Sequence, residues 1–155
     1  MHRSFHVLTF VKTIGISLYT IIKKMNMKIL ILILQILAAI AFIMTGVMKI
    51  FTPYEDLVLM ANMGWVQDFS GTQITLIGIL EALGGISLLL PMLLKKLTSL
   101  IPLAALGLAL VMVGAIVTHI GRDEPIVVNL VLLLLTLSVA YFKRDLFLNR
   151  SLQND

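Results

Sequence analysis

Four apolar runs, each about long enough to cross a membrane, constrain the fold of this chain more than any other feature. They cover residues 29–51, 72–94, 97–120 and 125–142. An α-helix rises 1.5 Å per residue, so roughly 20 residues span the hydrocarbon core of a bilayer. The chain is 59% hydrophobic and only 13% charged, whereas a soluble domain is about 45–50% apolar and about 25% charged. The sequence therefore predicts an all-α integral membrane protein, a four-helix bundle in a single domain.

Short connections predict that consecutive helices are antiparallel. Only Lys95 and Lys96 separate the second and third runs, which predicts a tight hairpin. Residues 121–124 connect the third and fourth runs. There Asp123 is expected to cap the fourth helix, and Pro125 suits its first turn.

The basic residues predict the orientation of the bundle. Ten of the twelve lie before the first run, between the second and third, or after the fourth, and Lys49 and Arg122 lie on the opposite side. Cytoplasmic loops carry the excess of Lys and Arg, so both termini are expected in the cytoplasm. The charge of +4 is thus read as a topology signal and not as a nucleic-acid-binding surface. The ten are Arg3, Lys12, Lys23, Lys24, Lys28, Lys95, Lys96, Lys143, Arg144 and Arg150.

One longer loop, residues 52–71, is expected on the outer side. Thr52 to Glu55 has the form of a capping box, with Pro53 at the first helical position. A short helix should follow, end near residues 63–65, and lie on the outer surface of the bundle. Trp65, the only tryptophan, is expected at the level of the lipid head groups.

The first 26 residues have two interpretations. They could form an amphipathic helix on the cytoplasmic surface, or they could be an extension upstream of a true start at Met25 or Met27. We favour the second interpretation. The predicted organisation is an extension over 1–26, a membrane domain over 27–145, and a cytoplasmic tail over 146–155.

Glu81 is the only ionisable residue within the second run. A charge at the bilayer centre costs at least a few kcal/mol, so such a residue normally faces protein or a water-filled cavity. Gly78, Ala82 and Gly85 share its helix face, and small residues allow a neighbouring helix to approach closely. Glu81 is therefore expected to point into a helix–helix contact.

Other polar residues suggest a pocket around Glu81. Lys49 lies near the outer end of the first helix, and Glu81 roughly 13 Å below the outer end of the second, so the two side chains could just meet. His119 and Asn129 belong to the same outer half. Lys49, Glu81, His119 and Asn129 form the predicted outward-opening polar pocket, whereas Gln35 lies in the inner half.

Each of these residues also has a purely structural interpretation. Glu81 could be protonated or paired with Lys49 only to fix the helix register, or it could serve a ligand, proton or substrate. Lys49 could extend to the membrane interface without a partner, and His119 could be an interfacial residue with no function. Asn129 could serve only to join helices by a hydrogen bond. A chain without cysteine has no thiolate, CxxC or iron–sulfur chemistry, and one carboxylate with one histidine is too few ligands for a metal.

Several short motifs, in order, resemble the DoxX-like family of small four-helix membrane proteins. The similarity extends from about residue 27 to 142. The motifs are TGVMKIF at 45–51, GW at 64–65, GILEALGG at 78–85, LLLP at 88–91, PLAA at 102–105, GAIVTH at 114–119 and NLVL at 129–132.

This resemblance implies a four-helix bundle in the bacterial inner membrane. Relatives resemble subunits of quinone-linked oxidoreductases, including a thiosulfate:quinone system, and membrane partners of redox enzymes. Lys49, Glu81 and His119 would occupy the polar, cofactor-binding positions of the family, with a quinone as the possible cofactor.

The resemblance leaves three functions to weigh. The first is a quinone- or lipid-binding subunit of a redox system, and the alternative is a non-enzymatic protein that binds or stabilises partner proteins. A small transporter is the weakest, because four helices leave little room and no inverted repeat is evident. Association with the bilayer, with a redox-enzyme subunit or with further copies of the chain is expected.

Overall fold

The computed structural model describes residues 27–94 and 97–146. The predicted extension over 1–26, Lys95, Lys96 and residues 147–155 of the predicted tail lie outside the described residues. Within the described ranges the chain is helical, with turns and no strand. The helices are α1 (Met27–Phe51), α2 (Tyr54–Leu59), a 3-10 helix (Gly64–Asp68), α3 (Gly71–Leu93), α4 (Leu100–Gly121) and α5 (Val127–Lys143).

The four long helices confirm the predicted all-α membrane bundle. Helices α1, α3 and α4 are long and apolar enough to cross a membrane, and α5 is apolar with 17 residues, at the lower end of the spanning range. The described residues from Ile33 onwards belong to one compact unit. The core of this unit takes residues from all four long helices, including Phe42, Leu88, Leu108 and Val139.

Helices α1 and α3 cross at very close range because both carry glycine at the contact. A Cβ atom added to Gly46 would lie 2.6 Å from the Gly78 carbonyl oxygen, and one added to Gly85 would lie 2.8 Å from the Ala39 carbonyl oxygen. Real side chains do not approach a backbone so closely. The small-residue face predicted on the second long helix is therefore the face that packs on α1.

The segment 52–70 confirms the predicted short helix but not its cap. The N-cap of α2 is Pro53, and no side chain caps the helix, so the proposed capping box at Thr52 is wrong. The reason is that Pro53 itself has the extended backbone of an N-cap residue, which leaves Thr52 one residue too early. Helix α2 ends at Leu59, earlier than predicted, and the 3-10 helix follows.

A real capping box begins α3. The backbone N–H of Gln73 donates a hydrogen bond to the Ser70 hydroxyl, and the backbone N–H of Ser70 donates one to the side-chain oxygen of Gln73. Together these bonds satisfy two backbone N–H groups that the first turn of a helix leaves free. Behind it, Leu57, Val66 and Ile74 form a small buried cluster, and the Tyr54 hydroxyl donates to the Phe69 carbonyl at 3.0 Å.

The predicted cap of the fourth long helix is also wrong. Helix α5 begins at Val127, two residues beyond Pro125, with Ile126 as an N-cap that makes no side-chain bond. Asp123 has φ of 55°, and its amide bonds to the Ile120 carbonyl. Asp123 therefore closes the C-terminal end of α4 instead of starting α5.

The connection from α3 to α4 is longer than the predicted two-lysine hairpin. Helix α3 ends at Leu93, and α4 begins only at Leu100. Two turns lengthen the connection. In one the Leu97 amide donates to the Leu94 carbonyl, and in the other the Ile101 amide donates to the Thr98 carbonyl.

Candidate functional site

Lys49 and Glu81 meet in the interior of the bundle. The Lys49 Nζ lies 2.6 Å from Oε2 of Glu81, and the residues are only 7% and 3% exposed. The Thr45 hydroxyl donates to the same carboxylate oxygen at 3.0 Å. The contact thus joins one side chain of α3 to two side chains one turn apart on α1.

The glycine contact explains why these side chains can reach each other. Gly46 lies almost one turn before Lys49, and Gly78 almost one turn before Glu81. Because the two backbones approach closely at these glycines, the carboxylate comes within hydrogen-bonding distance of α1. The same packing leaves the two side chains only 7% and 4% exposed, so the two charges depend largely on each other for compensation.

The two oxygens of the Glu81 carboxylate differ in their partners. Oε2 accepts both hydrogen bonds. Oε1 accepts no side-chain hydrogen bond within the described part of the chain, and it is not among the fully buried unpaired atoms. An ionised carboxylate has about four acceptor positions, so the pair leaves acceptor capacity on Glu81.

Trp65 lies over the Lys49 ammonium. The Nζ atom is 5.7 Å from the centroid of the indole ring, a distance at which a cation is attracted to the face of an aromatic ring. The indole also contacts Phe69, with ring centroids 5.9 Å apart. The 3-10 helix thereby closes the Lys49 side of the ion pair.

His119 does not join Lys49 and Glu81, although the sequence placed them in one pocket. Its ring lies behind Trp65, with centroids 6.0 Å apart. Its Nδ1 is 2.9 Å from Oε2 of Glu124, but the two atoms are not aligned as a hydrogen bond and have no other partner among the described residues. The indole therefore separates His119 from the ion pair.

Arg122 connects the α4–α5 turn to the segment that carries Trp65. Its Nη1 donates to Asp68 at 2.8 Å, and its Nε donates to Glu124 at 2.9 Å. The hydrogen bond between Arg122 and Glu124 is the main reason that the pKa of Arg122 is raised and the pKa of Glu124 is lowered. These three residues form an ion cluster at the end of the bundle that bears segment 52–70.

The remaining polar candidates lie apart from this arrangement. Asn129 is half-buried and enters none of the contacts above. Gln35 is 1% exposed and donates to the Leu88 carbonyl at 2.6 Å, a hydrogen bond between α1 and α3. Its Oε1 is buried without a partner within the described residues.

A separate apolar groove of about 310 Å³ runs between α3 and α4. Leu80, Leu83, Gly84 and Ser87 line it on α3. At 100° per residue these positions centre roughly 110° around α3 from Glu81, and neither Glu81 nor Lys49 lines the groove. The groove is therefore not part of the polar site.

Sequence reasoning missed two participants in the site. Thr45 shares the face of Lys49, and its spacing could have identified it as a partner for Glu81. Trp65 carried no local signal, because its place over Lys49 depends on how segment 52–70 folds back on the bundle.

The comparisons with known proteins agree with this architecture. Residues 33–141 match the model of the DoxX-like family. No curated protein and no solved structure matches the chain significantly. The match covers most of the chain, including most of each of the four long helices, the Lys49–Glu81 pair and Trp65, and the protein therefore belongs to the DoxX-like family of membrane proteins.

Proposed function

We propose that this protein is a membrane subunit that binds the polar head of a quinone or a lipid at the Lys49–Glu81 pair, in association with a redox enzyme. The observation that carries the proposal is the pair itself. A carboxylate and an ammonium are held in the interior of a membrane bundle, where an ionisable residue is costly and commonly functional.

The chemistry of the pair suits a quinone. A quinone carbonyl can accept a hydrogen bond from an ammonium, and a quinol hydroxyl can donate one to a carboxylate. Oε1 of Glu81 has acceptor capacity, and a carboxylate beside a hydroxyl can act as a general base. In this proposal Glu81 exchanges a proton with the ligand, and Lys49 positions the ligand oxygen.

The proposed setting is the bacterial inner membrane, with both termini in the cytoplasm and the Trp65 end of the bundle outside. The distribution of basic residues supports this orientation. His119 contributes to the walls of the site only through Trp65, and Asn129 has no assigned part. Because the chain has no cysteine, electrons would pass between the quinone and a cofactor of the partner enzyme.

The close packing around the pair favours a second candidate. Glu81 is 3% exposed and already has two partners, so the pair could serve only to fix α1 against α3. The protein would then bind or stabilise partner proteins without chemistry of its own.

Quinone content distinguishes the two candidates. Each protein is purified in mild detergent, extracted with organic solvent, and its quinone content measured by chromatography. The native protein is compared with Glu81→Gln and with the matched control Glu55→Gln, which changes an exposed acid outside the site. Near-stoichiometric quinone in the native protein and in Glu55→Gln that falls in Glu81→Gln, while Glu81→Gln remains folded at the temperature of purification, supports the proposal. Trace quinone, equal in all three proteins, contradicts it and favours the structural candidate.

A further inference from the structure

We infer that the indole of Trp65 is a gate that closes the Lys49–Glu81 site towards the loop end of the bundle. The loop end is the end that carries segment 52–70 and the α4–α5 turn. The inference rests on the proposed function, because a gate matters only if a ligand enters. It assigns the route by which a polar head group reaches Glu81.

The position of Trp65 in the structure is that of a cover. Glu81 lies mid-way along α3, Lys49 lies two residues from the end of α1, and Trp65 belongs to the 3-10 helix beyond that end. The ammonium faces the indole at 5.7 Å. A ligand that approaches Glu81 from the loop end therefore meets the indole before it meets Lys49.

The indole is held by side chains that could release it. The rings of Phe69 and His119 both pack against it, with centroids 5.9 Å and 6.0 Å from that of the indole. Behind His119, Arg122 joins Asp68 of the 3-10 helix to Glu124 of the α4–α5 turn. These ion pairs are partly exposed, with Arg122 28% and Asp68 45% accessible, so water competes for them and they restrain the cover without locking it.

The segment packs on the buried cluster on both sides of Trp65, through Val66 after it and Met63 before it, and it becomes exposed only before Met63. Val66, the next residue, is fully buried in the cluster with Leu57 and Ile74. On the other side, residues 60–62 are exposed, and Asn62 has φ of 63°. The indole itself is only half-buried, so the movement assigned here is a rotation of the Trp65 side chain while Met63 and Val66 stay in place.

The indole also contributes to the burial of Lys49, beside the ion pair with Glu81. A lysine this near a helix end would ordinarily extend its ammonium to water, yet it is 7% exposed. The indole offers the ammonium a cation–π contact in place of hydration. When the indole moves, the ammonium becomes available to a ligand oxygen.

Because the chain has no cysteine, a single introduced thiol can report access to the site. Thr45→Cys places a thiol beside Glu81, and the rate of its modification by a small charged methanethiosulfonate reagent is measured on purified protein. We expect Trp65→Ala to raise this rate by about tenfold or more, and Trp65→Phe to keep it near the starting value. An unchanged rate in Trp65→Ala would overturn the inference, whatever the quinone content.

A second pair of variants keeps the test decisive. In a separate variant, Ala105→Cys places a thiol at a fully buried position. Modification of that thiol shows that the protein has lost its fold. If Trp65→Ala also speeds modification of the thiol at position 105, the gate is tested with Arg122→Gln instead, which removes the contact to Asp68. Arg144→Gln, at the other end of the bundle, is the matched control. Faster modification of the thiol at position 45 in Arg122→Gln alone supports the gate, and equal rates in the two variants overturn it.

Discussion

Glu81 and Glu124 are both held by a basic partner, but in different surroundings. Glu81 lies in the bundle interior against Lys49. Glu124 lies in the α4–α5 turn, 23% accessible, against Arg122. Water and salt screen the second contact and not the first. The first pair should therefore matter for folding and for binding, and the second mainly for the position of the segment that carries Trp65.

The lowered pKa of Glu124 predicts a pH dependence of stability. Its pKa in the folded protein lies below the ordinary value of 4.5, chiefly because Arg122 donates a hydrogen bond to it. A depressed carboxyl pKa contributes stability that is fully present above the unfolded pKa and is lost as the pH falls through the folded pKa. Glu124 should thus raise the unfolding temperature by an amount that is constant above about pH 4.5 and declines as the pH falls below that value.

Unfolding temperatures measured from pH 7 to pH 3 check this prediction. Glu124→Gln should lower the unfolding temperature at pH 7 and flatten the decline on acidification. Asp123→Asn, at the exposed neighbouring residue, should leave the decline as it is. Equal pH profiles for the two variants would show that the Arg122 contact contributes nothing.

At the residue scale, the sequence identified Glu81 and Lys49 because an ionisable side chain in an apolar run is conspicuous. It could not separate His119 from them. All three fall in one half of the bundle by their depth along the helices. Only the folding of segment 52–70 inserts Trp65 between Lys49 and His119.

At the scale of helices, the glycines of α1 and α3 differ from those of α4. A Cβ at Gly46 would meet backbone atoms at 2.6 Å, whereas a Cβ at Gly114 would meet nothing within 4 Å. The first glycine is required by a close helix crossing, and the second lies on an open face. The same substitution should therefore have opposite effects at the two positions.

Gly46→Ala should destabilise the protein by about 1–3 kcal/mol, because α1 and α3 must move apart. Gly114→Ala should be neutral or stabilising by up to about 1 kcal/mol, because alanine favours a helix more than glycine does. Reversible unfolding in detergent measures both. A similar loss of stability in both variants would contradict the close crossing.

Helix positions were more predictable than helix caps. Apolar run length placed the four long helices within a few residues, since a spanning helix must satisfy its own backbone in lipid. The expected caps at Thr52 and Asp123 were wrong, and the real box at Ser70 and Gln73 was missed. Caps depend on backbone angles over one or two residues, and several Ser, Thr and Asp residues near a helix start offer equivalent patterns.

At the scale of the whole molecule, the protein is a membrane bundle with a polar interior site below one covered end. The apolar runs, and so the membrane class and the four helices, were evident from the sequence. The cover was predicted only as a short helix on the surface. Its contact with Lys49 is a tertiary property that no local pattern carries, and the gate depends on it.

Both proposals depend on Lys49 and Glu81 being paired in the bundle interior, and a double-mutant cycle measures that directly. Unfolding free energies are compared for the native protein, Lys49→Met, Glu81→Gln and the double variant. Lys49→Met should cost about 3–5 kcal/mol, because it leaves a buried carboxylate without compensation. The double variant should recover much of that loss. Losses that simply add would show that the two side chains do not interact, and would contradict the account.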